Sequence, residues 1–212
     1  MKSAVVKLGG STAREPQLQG WVDALAGAPL PLVIVPGGGP FADAVRAAQG
    51  ALGFSDRAAH AMAILAMEQF GHLLLDRDAR LIPVRTLAEI ERAAATRRSA
   101  VWLPATMALA APEIEQSWRV TSDSLAAWLA GTLDVQRLVL IKQSDDFDGS
   151  DTVATLAARG VVDAAFSAML SEPVVLNVAG PRHLPAAITM LGSGALPGLH
   201  IAHAAPALRR AG

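Results

Sequence analysis

Short, unbroken apolar runs alternate along this chain with longer stretches whose apolar positions recur at helical spacing. Ser3 to Leu8 reads as a buried strand, followed by Gly9-Gly10-Ser11 and a helix to about Ala26. Pro31 to Val35 is a second strand, closed by Pro36 and Gly37-Gly38-Gly39, with a helix to about Gln49 behind it. The longest helical stretch runs from Ser55 to Leu75, and Ser55 or Asp56 suits its N-cap. Ala100 to Leu103, Leu138 to Ile141 and Val174 to Val178 are further strands. Thr121 to Ala130 is a further helix, and His200 to Ala202 a candidate last strand. Strands without polar alternation, each followed by a helix, predict an α/β protein with a mainly parallel sheet covered on both faces, a three-layer α/β/α sandwich. One sheet, and so one domain over residues 1–212, is the simplest organisation. Irregular connections fall at Ala111 to Trp118, Ser144 to Asp151 and Gly192 to Gly198.

Composition narrows the function classes. Hydrophobic residues make up 52% and charged residues 17%, enough apolar material for a large core and too little charge for a disordered chain. A net charge of −1 lacks the basic footprint of a nucleic-acid binder. Cysteine is absent, which excludes disulfides, thiolate zinc sites and cysteine nucleophiles together. The first apolar run is too short for a signal peptide, and none approaches the roughly 20 residues of a membrane span. The expectation is a cytoplasmic protein with neither a membrane nor a nucleic-acid partner. From Ala58 to Leu74 the long helix is apolar almost all round, so one side should face the sheet and the other a second subunit, giving a homodimer or higher homo-oligomer.

Two glycine-rich turns follow the first two strands directly. In an open α/β sheet that is the carboxyl edge, where ligands bind, and backbone N–H groups at such turns attract phosphate. The same glycines would also serve as plain tight turns. Of the 18 basic residues only Lys2, Lys7 and Lys142 are lysines. Where arginine is the default cation, a retained lysine suggests a need for a compact ammonium, and Lys7 and Lys142 both end apolar strands. No Walker A sequence, dinucleotide fingerprint or Gly-x-Ser-x-Gly elbow is present.

Val5-Val6-Lys7-Leu8-Gly9-Gly10-Ser11 and Val33-Ile34-Val35-Pro36-Gly37-Gly38-Gly39-Pro40 resemble the amino acid kinase superfamily. Two later blocks extend the likeness in the family's order: Val120-Thr121-Ser122-Asp123-Ser124-Leu125-Ala126-Ala127, and Leu138-Val139-Leu140-Ile141-Lys142-Gln143-Ser144-Asp145-Asp146. Ala59 to Met67, Trp118 to Ser124 and Gly160-Val161-Val162-Asp163 are similar to one branch, the 5-(aminomethyl)-3-furanmethanol phosphate kinases of methanofuran biosynthesis. The resemblance implies the amino acid kinase fold, ATP and Mg2+ as cofactors, and a small phosphorylated substrate raised to its diphosphate. Another phosphate or carboxylate acceptor, or a non-catalytic nucleotide-binding protein, would use the same fold.

It also implies site roles. Lys7, Asp123 and Lys142 are the catalytic candidates, with Asp123 fixing the lysines; a helix N-cap is the plain reading of Asp123. Lys7, Gly9, Gly10, Ser11, Lys142, Asp145 and Asp146 would bind ATP, the last two from an acidic run that also reads as a solvated loop. Gly37, Gly38, Gly39, Arg57, Ser122 and Asp123 would bind the acceptor. Arg57 and His60 open the long helix, where either would reach an acceptor phosphate or serve as a plain surface residue. No residue is assigned to a metal, and His200 and His203 read as ordinary residues. The family's usual second lysine downstream of the nucleotide loop is missing, since no lysine follows Lys142. Lys142 takes that charge, or the site works with one lysine fewer. About 1–118 would form the acceptor half and about 119–212 the nucleotide half.

Overall fold

A computed structural model describes residues 4–203. Its strands are β1 (Ala4–Leu8), β2 (Leu32–Pro36), β3 (Ile82–Val84), β4 (Ala100–Trp102), β5 (Arg137–Ile141), β6 (Val175–Ala179) and β7 (Leu199–Ile201). They form one sheet in the order β3-β4-β2-β1-β5-β6-β7, parallel throughout except where β7 runs against β6. The helices are α1 (Leu18–Ala26), α2 (Gly39–Leu52), α3 (Asp56–Arg77), α4 (Leu87–Ala95), α5 (Ala105–Ala108), α6 (Ser122–Thr132), α7 (Val153–Ala158), α8 (Phe166–Met169) and α9 (Leu184–Gly192).

Every residue of β1 and β2 is buried, as apolar strands covered on both faces must be. Their alternation divides the interior in two. Val5, Val33, Val35, Leu138 and Leu140 pack with Leu125 and Leu129 of α6 on one face. Val6, Leu8, Ile34, Val139 and Ile141 pack with Trp21 and Leu25 of α1 and Leu191 of α9 on the other. The expected three layers are therefore present. The same period-2 rule puts Lys7 on the face of Val5, and Lys142, just past β5, on the face of Leu140. Both lysines thus look toward α6.

The helix expected directly after Ser11 starts later. Gly10–Arg14 is a 3-10 turn, and Glu15 is extended at φ −99° and ψ 146°, because Pro16 disfavours a helical conformation in the residue before it. β3 and α4 lie in a stretch that the apolar pattern leaves blank. β3 is three residues with Pro83 in its middle. α4 was signalled by Thr86 and Glu89, which form a capping box. The long helix begins as expected, with Ser55 Oγ accepting from Ala58 N at 3.3 Å. Although α3 buries Ile64, Met67, Phe70 and Leu74, it leaves Met62 at 40% and Leu65 at 47% exposure. Ser3, the expected start of β1, lies outside the described residues. Among those residues no helix is long and apolar enough to cross a membrane.

Candidate active site

At the carboxyl edge of the sheet, one carboxylate is held between two lysines. Asp123, in the first turn of α6, places Oδ1 2.8 Å from Lys7 Nζ and Oδ2 2.6 Å from Lys142 Nζ. Lys7 and Asp123 are about 95% buried. Burial alone would raise the Asp123 carboxyl, but the two ammonium groups outweigh it and hold its pKa at about 2. Burial pushes Lys7 below the ordinary lysine value; Asp123 opposes that shift and the Lys142 charge adds to it. Asp123 is consequently a fixed anion at neutral pH with both oxygens engaged, poor as a proton acceptor and well suited to aiming two cations.

The orientation of α6 has its own support. Asp163, on the connection between α7 and α8, accepts from Thr121 N at 2.9 Å, Thr121 Oγ1 at 2.7 Å and Ser124 N at 3.1 Å, and also from Ser124 Oγ. It caps the helix from outside where Thr121 makes no side-chain cap of its own. Gly160 to Asp163 stands out in the sequence only as a block similar to one branch of kinases, and the Thr-x-x-Ser start of α6 gives no hint of its distant acceptor.

The two glycine turns interlock. A Cβ on Gly10 would lie 2.1 Å from Gly39 N, and one on Gly37 would lie 2.1 Å from Gly10 N. Gly39 also has φ +53°, where side chains are strained. Gly9 and Gly37 are committed elsewhere: Gly9 N donates to Ile141 O and Gly37 N to Leu8 O, both at 2.9 Å. Their expected donation to phosphates gives way to that strand-end role. Gly10, Ser11, Gly38 and Gly39 line the cavity beyond.

That cavity, about 220 Å³, lies between α2, α3 and the segment from Trp118 to Ser122. The N-termini of α2 and α6 both border it, two positive dipole ends on one space. Ala42, Ala63, Ile64, Met67 and Val120 give it apolar walls. Trp118 closes one side, donating Nε1–H to Gln49 Oε1 at 2.6 Å under the Arg46 guanidinium, 4.3 Å from the ring centre. His60 is also on the wall, buried there and not at the surface. Arg57 is not; it is exposed and lines a separate depression with Ser55, Ala58 and Leu109. Arg46 and Asp43 are lining residues that nothing local in the sequence distinguishes from surface positions, and Trp118 is marked there only as the first residue of a block similar to one branch.

A second, open depression of about 400 Å³ is lined by Ser11, Lys142, Gln143, Ser144, Asp146, Arg159, Gly160 and Val161. Ser11 borders both spaces. The two members of the acidic run expected to hold ATP separate here. Asp146 faces this depression, whereas Asp145 turns toward the β6–α9 corner, accepting from Arg182 N at 3.2 Å. Asp151 pairs with Arg159 at 2.9 Å, and Asp148 accepts from Ser150 N at 2.8 Å. Among the described residues no group of three acidic or histidine side chains could hold a metal ion.

The model of the amino acid kinase family matches residues 2–148. The [5-(aminomethyl)furan-3-yl]methyl phosphate kinase of Methanocaldococcus jannaschii is 28% identical over 179 residues, covering 79% of this chain and 82% of that one. Among solved structures, uridylate kinase from Archaeoglobus fulgidus superposes with a TM-score of 0.69 at 20% identity, over 95% of this chain and 100% of that one. UMP kinase from Ureaplasma parvum gives 0.68 at 14% identity, over 95% and 96%. At those identities the structural likeness speaks for the fold.

Proposed function

The chain belongs to the amino acid kinase family and is an ATP-dependent small-molecule kinase; we propose that its acceptor is [5-(aminomethyl)furan-3-yl]methyl phosphate and its product the corresponding diphosphate. The observation that carries the reading is the Asp123 clamp on Lys7 and Lys142, with Lys142 lining the open depression and Ser122, next to Asp123, lining the cavity. The overlap with the Methanocaldococcus jannaschii enzyme, most of both chains, supports the choice of acceptor.

In this reading ATP lies over the open depression, with Lys142, Ser11 and the Gly10 turn on its phosphates. The acceptor occupies the cavity, its phosphate toward Gly38, Gly39 and Ser122 at the two helix N-termini. Most of the acceptor site then comes from about 1–118 and most of the nucleotide site from about 119–212. Lys7 stands at the seam and neutralises the transferring phosphoryl group. A phosphate acceptor is already anionic, so no general base is required, consistent with an Asp123 that cannot readily take a proton. Lys142 takes the charge otherwise supplied by a downstream lysine. Magnesium, when bound with ATP, supplies further neutralisation of the phosphates. Asp146 is the carboxylate placed to support it, while Asp123 has no free oxygen for the task. The exposed Met62 and Leu65 on α3 form the face of a homo-oligomer, which a monomer mass by light scattering would refute.

The test is ATP consumption with magnesium on the furan phosphate, with uridylate and isopentenyl phosphate alongside. Selective turnover of the furan substrate is expected. Turnover of another phosphate alone would retain the kinase and remove this acceptor. Silence on all three would remove the proposal.

A further inference from the structure

Resting on the furan acceptor proposed above, we infer that His60 is the specificity residue for the acceptor's amine, its Nε2 accepting a hydrogen bond from the aminomethyl ammonium group. His60 sits on the cavity wall in the first turns of α3 and is 3% exposed. Its Nδ1 lies 3.1 Å from Ser117 O. A carbonyl oxygen only accepts, so Nδ1 carries the ring proton. Burial pushes the imidazole below its ordinary pKa, against smaller opposing effects of the Ser117 carbonyl and Glu115. The ring is therefore neutral and Nε2 presents a lone pair. That atom is buried with no hydrogen-bond partner, a costly arrangement unless a ligand supplies a donor.

The acceptor's chemistry leaves a single candidate donor. A phosphate dianion and a furan oxygen can only accept; the aminomethyl group is an ammonium ion near neutral pH. Asp43, the one acidic side chain lining the cavity, is 4.0 Å from Arg46 on the same wall, so the neutral His60 nitrogen and not net charge distinguishes the amine; Ala63, Ile64 and Met67 offer apolar surface to the ring. His60 is thereby assigned to the amine end of the acceptor and not to its phosphate.

The test uses the full chain with two acceptors, the furan phosphate and furan-3-ylmethyl phosphate, which lacks the aminomethyl group. The wild type should prefer the amine by roughly tenfold or more in kcat/KM, since a hydrogen bond to a charged group is worth at least that factor. His60→Asn retains a donor for Ser117 O and removes the acceptor. It should lose roughly tenfold on the amine substrate, mainly through KM, and change little on the analogue. His60→Gln, which retains an acceptor near the Nε2 position, should recover part of the preference and serves as the variant of record if His60→Asn does not fold. Equal losses on both acceptors, no loss on either, or a wild type indifferent to the amine would each overturn the assignment while leaving the furan acceptor standing. A wild type that phosphorylates some other acceptor but not the furan phosphate would overturn both.

Discussion

The cavity proposed for the acceptor and the depression proposed for the nucleotide both border Ser11 and are built from different elements, one from helices and the other from loops. The first is walled by helices α2 and α3 and the Trp118 segment, where apolar side chains mix with Ser11, Asp43, Arg46, His60, Thr121 and Ser122. The second is open and lined by loop residues with mixed charge, Lys142, Asp146 and Arg159 among them. A cavity walled by helices discriminates by shape and by the polar groups those helices hold in place. A surface of the second kind holds a polyanion by charge and tolerates variation in outline. Selectivity should thus reside on the α2–α3 side and turnover at the seam where Lys7, Asp123 and Lys142 meet.

The largest effect should come from removing that seam, because it serves both spaces. Lys7→Ala should lower kcat by roughly 10²–10³-fold, the scale of deleting one charge-stabilising donor, with circular dichroism unchanged. Retained turnover would separate Lys7 from the chemistry. Asp123→Asn should also cost stability, about 3 kcal/mol, since it leaves two lysines together without their counter-charge. Its pH dependence has a definite sign. The wild-type carboxyl, held at about 2 against 3.8 unfolded, contributes stability that is complete above about pH 4 and is lost as pH falls through 2. The variant lacks that acid-side contribution, and its stability should instead rise as pH increases and the buried Lys7, already held below the ordinary lysine value, sheds its proton. Denaturant midpoints across pH would show either slope.

Smaller changes sharpen the division between the two spaces. Trp118→Ala should raise KM for the acceptor about tenfold and leave KM for ATP unchanged; a matching rise for ATP would mean the spaces are not independent. Asp163→Asn should cost about 1–2 kcal/mol, the range of a helix cap, and lower kcat for both substrates through a looser α6. Arg57→Ala should stay within roughly twofold in all constants, as an exposed side chain outside the cavity.

Sequence alone carried the central strands, the order of the layers and the seam. Lys7 and Lys142 were conspicuous because arginine is otherwise the rule, and strand alternation puts both on the face that α6 covers. The glycine turns were legible as turns, but not that they touch each other, nor that Gly9 and Gly37 would commit their amides to strand carbonyls. Those facts depend on the spacing between strands distant in sequence. Asp163 was equally hidden, because its partners lie about 40 residues upstream. The delayed start of α1 was readable in Glu15-Pro16, and α4 in Thr86 and Glu89.

The edge of the sheet bears on how the molecule behaves in a crowd. β3 ends the sheet, and its groups facing β4 belong to Ile82, whose N donates to Ser99 O, and Val84, whose O accepts from Leu103 N. The intervening residue turns its backbone outward, and that residue is Pro83. The outermost strand therefore shows no central amide to a passing chain. Fibrillar growth by strand addition is blocked on that side by a single missing hydrogen.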